Sequence, residues 1–175
     1  EVGLYDLSDG ARLKLPDGHD ALVLAPLPIR ANAGDVPNPL RENFGNLIQL
    51  AGYEMGPRAL RPGDTLELTL YWRALAPIRK NYAVFTHVRG EGEALWAGED
   101  AWPQKGAAPT SGWLMGDLIP DSYLLTLKAD TPPGLYDVEV GLYDSGTLER
   151  LRVMDGEGLP TDADFLFLSK IRVLP

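Results

Sequence analysis

Between Gly98 and Pro120 the chain reads GEDAWPQKGAAPTSGWLMGDLIP. This stretch gathers residue types suited to gripping a hydroxyl-rich ligand. Trp102 and Trp113 bring indole rings; Gln104, Lys105, Thr110 and Asp117 bring an amide, an ammonium, a hydroxyl and a carboxylate. An indole combines a broad apolar face with a polar edge, so a sugar can pack its C–H face on the ring while nearby polar groups bond its hydroxyls. A long irregular stretch is also a common place for function. The competing reading is structural: both rings plug an open end of a β-sandwich. Exposure separates the two, since solvent-facing rings favour sugar and buried rings favour structure. Trp72 reads as core and Trp96 is left undecided between the two.

Other chemistries have thinner support. The segment DGEGLPTDAD holds Asp155, Glu157, Asp162 and Asp164, hard oxygen ligands of the kind calcium takes. Their spacing is not that of an EF-hand loop, and a solvated acidic turn is the plainer reading. A glycosidase needs two carboxyls facing each other across a cleft. Glu99 and Asp100 are adjacent, so on a strand they point to opposite faces. Asp117 with Asp121, and Glu54, read as surface or turn acids. His19 and His87 are far apart and make no zinc motif; His87 sits mid-strand and reads as structural. No G-x-S-x-G, Walker or Rossmann pattern occurs, and cysteine is absent. The chain reads as non-catalytic and without a resident cofactor.

The elements that must hold these residues are short. Leu66, Leu68, Leu70 and Trp72 alternate with Glu67, Thr69 and Tyr71, the period of a half-buried strand. Similar strands are expected at 46–55, 82–88, 93–99, 122–129, 135–144 and 165–174. Turn signals such as Pro62-Gly63-Asp64 and Pro132-Pro133-Gly134 separate them. No segment sustains helical periodicity, and 15 prolines punctuate the chain too often for long helices. The expected fold is all-β: an antiparallel β-sandwich of about seven or eight strands, immunoglobulin-like or jelly-roll-like.

The two ends of the chain carry the same words. Glu1-Val2-Gly3-Leu4-Tyr5-Asp6 returns as Glu139-Val140-Gly141-Leu142-Tyr143-Asp144. The match continues through Arg12-Leu13 with Arg150-Leu151 and Asp17-Gly18 with Asp155-Gly156. Residues 1–30 therefore read as the last hairpin of an upstream copy, 31–42 as a linker, and 43–175 as one complete domain. The recurring glycines, Gly3 and Gly141, are expected where a ring packs closely, with Tyr5 and Tyr143 over them. Arg150 is expected to pair with Asp144, and Arg12 with Asp6. An orphan hairpin with Val2, Leu4, Leu22 and Leu24 on one face is marginal alone. It is expected to dock on a strand edge or apolar face, or on a second molecule as a homodimer contact.

The net charge of −9 and pI near 4.6 repel phosphate backbones and anionic headgroups, so nucleic acid is excluded as an expected partner. No apolar run reaches the length of a membrane helix, so this stretch does not itself insert in a bilayer.

The segments NFGNLIQLAGYEM, LRPGDTLELTLYWRAL, NYAVFTHVRG, PTSGWLMGDLIPDSYLLTL and PPGLYDVEVGLYDSGTLERL resemble β-sandwich modules of large bacterial membrane proteins, many of them similar to dolichyl-phosphate-mannose-type glycosyltransferases. Arg89 and Gly90 stand where that family favours an acidic residue. The resemblance covers about 43–175. It implies an extracytoplasmic accessory module of a membrane-anchored enzyme, with neighbouring repeat domains and a glycan as partners. A structural spacer or protein-docking domain is the alternative it leaves open.

Overall fold

Along the strand at 65–74, alternation decides which residues the core receives. Leu66, Leu68, Leu70 and Trp72 are all buried, while Thr65, Glu67, Thr69 and Tyr71 turn outward. Burying one such leucine removes its side chain from water and contributes roughly 1.5–3 kcal/mol. The turn that feeds this strand uses the chemistry its residues dictate. Asp64 N–H donates to Arg61 C=O at 3.0 Å, with Pro62 second and Gly63 third at φ 87°. That is a type II turn, which needs a positive φ where the glycine stands.

A computed structural model of the chain describes residues 11, 12, 14–20 and 36–175. Two units divide it, Glu1–Gly34 and Asp35–Pro175. The second is a β-sandwich of ten strands: β1 (Pro39–Phe44), β2 (Ile48–Gly56), β3 (Ala59–Leu60), β4 (Thr65–Ala74), β5 (Tyr82–Arg89), β6 (Leu95–Ala101), β7 (Leu118–Thr126), β8 (Gly134–Asp144), β9 (Val153–Met154) and β10 (Leu166–Val173). The first sheet runs β7-β4-β2-β1-β9 and the second β3-β10-β8-β5-β6. Pairing is antiparallel except between β10 and the two-residue β3, which run parallel. The count exceeds the seven or eight expected because short β1, β3 and β9 carry no alternation long enough to read. Pro39–Glu42, expected as the end of a linker, belong to β1.

The two inner faces meet in one core. Phe44 and Trp72 pack edge-on, centroids 6.0 Å apart, against Val84, Val138, Val140 and Leu142 of the opposite sheet. Pro120 sits in β7, an edge strand, where its missing N–H does least harm to the ladder.

In the first unit the described residues form a turn. Leu15 N–H donates to His19 C=O at 2.7 Å and Gly18 N–H to Leu15 C=O at 2.9 Å. The turn before β10 repeats this pattern, Asp155 N–H to Leu159 C=O at 2.8 Å and Gly158 N–H to Asp155 C=O at 3.0 Å. Both glycines have positive φ, 89° and 79°. Gly18 thus matches Gly158 in geometry, two positions beyond the Gly156 it matches in sequence. Val2, Leu4, Leu22 and Leu24, with the docking of their hairpin, lie outside the described residues.

Candidate functional site

On β5 the inward positions are Tyr82, Val84, Thr86 and Val88, so Ala83, Phe85, His87 and Arg89 face outward. Register brings Tyr143, Gly141, Glu139 and Asp137 of β8 beside them on one side. Asp100 and Gly98 of β6 lie on the other. The outward face of the second sheet is therefore rich in rings and charges.

These side chains bond one another. His87 Nε2 lies 2.9 Å from Asp100 Oδ1. Arg89 Nε donates to Glu139 Oε2 at 2.8 Å, and Arg89 Nη2 lies 3.5 Å from His87 Nδ1. Tyr143 stands near Asp100; burial first, then the Asp100 charge, pushes the phenol pKa up. Phe85 lies between His87 and Tyr143, at centroid distances of 5.1 and 6.4 Å. Arg150 covers it, Cζ 4.4 Å from the ring centroid. Phe85 is 1% exposed, though it faces away from the core.

Glycine makes room for this layer. A Cβ on Gly141 would run into the Phe85 ring and stand 2.9 Å from the Asp164 carbonyl. A Cβ on Gly98 would stand 2.8 Å from His87 Cδ2. The expectation of a ring over Gly141 holds, but the ring is Phe85 and not Tyr143. It comes from β5, a strand whose pairing with β8 is set by tertiary contacts.

Trp102 joins the same face. It continues β6 by one extended residue, φ −67° and ψ 145°, which by alternation puts it on the side of Asp100. The ring is 41% exposed, and its Nε1 donates to Ser145 Oγ at 2.7 Å. Ser145 Oγ in turn donates to Asn81 C=O at 3.1 Å. The indole edge is anchored while part of the ring stays open.

Past Trp102 the chain turns through a costly conformation. Gln104, Lys105 and Gly106 all have positive φ, 52°, 54° and 93°, and the first two lack glycine's freedom. Asp121 holds this turn. Its Oδ1 accepts Gln104 N–H at 2.7 Å, and its Oδ2 accepts Tyr123 O–H at 2.6 Å and Trp72 Nε1–H at 3.3 Å. Burial pushes the Asp121 pKa up, against the pull of these three donors. Burial, then the Asp121 charge, drives Tyr123 far above the usual phenol range.

The expected sugar set divides. Gln104 Nε2 donates to Pro120 C=O at 2.8 Å, and Lys105 pairs with Glu99 at 3.7 Å; both stand in Trp102's own turn. Trp113 does not join them. It is 7% exposed within the core cluster and donates to Ala108 C=O at 2.9 Å, so no sugar face can reach it. Asp117 closes a turn on Leu114 at 3.1 Å, beside the end of β4. Thr110 is buried and bonds Lys80 C=O at 2.8 Å. The irregular stretch is shorter than expected, because β6 runs to Ala101 and β7 begins at Leu118.

The expected calcium set does not converge. Asp155 Oδ1 accepts Glu157 N–H at 2.9 Å and Leu159 N–H at 2.8 Å, the duty of an Asx turn. Asp164 pairs with Arg150 at 3.2 Å, and the Asp162 carbonyl accepts from Arg152 at 2.6 Å. Among the described residues no three acids or histidines come together to hold a metal. Arg150 was expected on Asp144, which instead holds Lys80 at 2.5 Å. Arg12 reaches Asp20 at 3.5 Å; its expected partner Asp6 lies outside the described residues.

Sequence weighs Asp100 and Asp121 only as paired acids, His87 as structural and Tyr143 as a ring over Gly141, and it does not mark Phe85. The usable signal was slight: His87 and Asp100 stand on two strands joined by a short turn, and the register that puts them on one face is set by the pairing.

No family model matches the chain, and no curated protein matches it. Among solved structures, the C-terminal domain of wzt is similar at 14% identity, covering 81% of this chain and 85% of that one, with a TM-score of 0.47. The CARDB domain of a Pyrococcus furiosus protein, in complex with di-metal ions, is similar at 8% identity over 79% and 94%, with a TM-score of 0.40. A β-glucosidase from Listeria innocua in complex with glucose aligns at 14% identity over 97% of this chain and 22% of its own, with a TM-score of 0.37. At these scores the likeness bears on no ligand, and the β-sandwich rests on the strand pairing itself.

Proposed function

We propose that the chain is a non-catalytic carbohydrate-recognition module. It belongs to a larger membrane-anchored protein, outside the cytoplasm, beside a domain similar to the dolichyl-phosphate-mannose-type glycosyltransferases. Its partners are a glycan and neighbouring copies of the module. The resemblance of residues 43–175 supports the setting. One observation carries the sugar reading: Trp102 stands partly open at the edge of a covered polar and aromatic layer, its edge pinned by Ser145 and its turn held by Asp121. A ring fixed before the ligand arrives loses little freedom on binding.

The acids of this face suit recognition better than hydrolysis. Asp100 faces His87 and Tyr143, Glu139 faces Arg89, and Asp164 faces Arg150. Carboxylates held this way are placed to accept hydroxyl hydrogen bonds. Glu99 and Asp100 alternate to opposite sides of β6, which supports the non-catalytic reading. The burial of Trp113 favours the alternative, a spacer or protein-docking domain.

A glycan array followed by titration tests this, comparing the chain with Trp102→Ala. The variant should keep its thermal midpoint within a few degrees and lose tenfold or more in affinity, as anchor rings do. Undiminished binding by Trp102→Ala would remove Trp102 from the site. Silence from the intact chain across the array would favour the spacer.

A further inference from the structure

Resting on the saccharide reading of Trp102, we infer that the hollow beside Arg150 is a second subsite, which takes a further ring of the same neutral glycan. This hollow has a volume of about 510 Å³ and is lined by Leu148, Glu149, Arg150, Arg152 and Asp164. It is open to solvent and its lining is mostly polar, so a ligand there would be held by hydrogen bonds rather than enclosed.

The lining is arranged before any ligand comes. Arg150 lies over the Phe85 ring at 4.4 Å and donates through Nη1 to Asp164 Oδ1 at 3.2 Å. A stacked, paired guanidinium keeps its fork in one plane, with other donors left to use. Both side chains remain about a third exposed, 38% and 34%, so a ligand can reach them. Arg152 is tethered through the Asp162 carbonyl at 2.6 Å.

The charge of the lining selects the ligand. Two arginines stand against two carboxylates, Glu149 and Asp164. An anionic ligand would meet the carboxylates and a cationic one the arginines. A neutral polyol can bond both, because each hydroxyl donates and accepts. Leu148 is exposed at the rim and offers apolar contact to a ring's C–H face.

Register joins the hollow to Trp102. Ala101 pairs with Val84 and Val84 with Leu142; one step on, Ala83 pairs with Tyr143 and Tyr143 bridges to Arg150. From Trp102 to Arg150 is thus three strand spacings along one outward row, about 14 Å. The backbones are that far apart while the side chains lean toward each other, Trp102 to Ser145 and Arg150 over Phe85; a ligand that fills the hollow and still stacks on Trp102 is inferred to be an oligosaccharide.

The test is titration with a series of neutral oligosaccharides of one to six hexoses, beside uronic-acid oligosaccharides of equal length. Affinity should rise about tenfold or more with length and then level off, and the uronic series should bind more weakly. The exposed Glu149→Gln should abolish the gain from length and leave the shortest ligand's affinity unchanged, and Arg150→Gln should abolish the gain as well. Trp102→Ala should weaken the whole series. A length gain untouched by both hollow variants overturns the subsite, as does stronger binding of the uronic series. Binding independent of length, yet lost in Trp102→Ala, overturns the subsite alone. Absence of binding by every member overturns it together with the saccharide reading.

Discussion

On the outward face of the first sheet, strands meet through small matched hydroxyls: Thr65 with Thr126 at 2.9 Å and Thr69 with Ser122 at 3.0 Å. Leu124 stands 62% exposed among them. The second sheet's outward face obeys the same alternation but builds a layer of its own. Phe85 is hidden there under Arg150, and three carboxylates are held by partners. A sandwich of this kind closes its core with the inward residues alone. A covered aromatic on the solvent side is therefore an addition to that core, a second packed layer that stabilises the fold from outside. The difference is between a face of matched hydroxyls and one whose rings and charges pack into a second layer.

Truncation should break that comparison most sharply. Phe85→Ala should lower stability by about 3 kcal/mol, near the cost for a core aromatic, because Arg150, His87 and Tyr143 lose the ring they pack on. Leu124→Ala on the plain face should cost less than ~0.5 kcal/mol. Urea midpoints of the two variants would measure the contrast, and equal losses would erase the distinction between the faces.

A smaller effect is expected from filling space. Gly141→Ala should cost about 2 kcal/mol by overpacking, since its Cβ collides with Phe85. Near-ultraviolet circular dichroism should report the displaced rings. An unchanged spectrum and midpoint would mean the layer is loose.

The mildest expectation concerns acid. Lys80, followed by the Gly146 N–H, holds Asp144 below its ordinary 3.8. Its folded value is depressed, so its contribution is present above about pH 4 and is lost as pH falls through that lower value. The gap between the intact chain and Asp144→Asn should be open at neutral pH and close in strong acid. Asp121 runs the other way. Burial raises its folded value above 3.8, so its effect on stability is most favourable below 3.8 and diminishes as pH rises through the raised value. Denaturation midpoints measured across this range for Asp144→Asn and Asp121→Asn should move in opposite senses.

Much of the sandwich was legible. The inward set of β4 and the type II turn at Arg61–Asp64 follow from alternation and from proline and glycine at fixed places. Of the candidate site, Trp102, Gln104 and Lys105 were legible as residue types on a loop. Trp113 looked equivalent, yet its neighbours bury it. Asp121 looked like a surface acid, yet three donors from β4, β7 and the turn after Trp102 converge on it.

By itself the sequence determined the longer strands, the inward face of β4 and the main turns, because those depend on residues one to four positions apart. Only the tertiary structure decided that Asp100 meets His87 and Tyr143, and that Arg150 lies on Phe85. Those meetings depend on strand order and register, which long-range burial settles and no local pattern records.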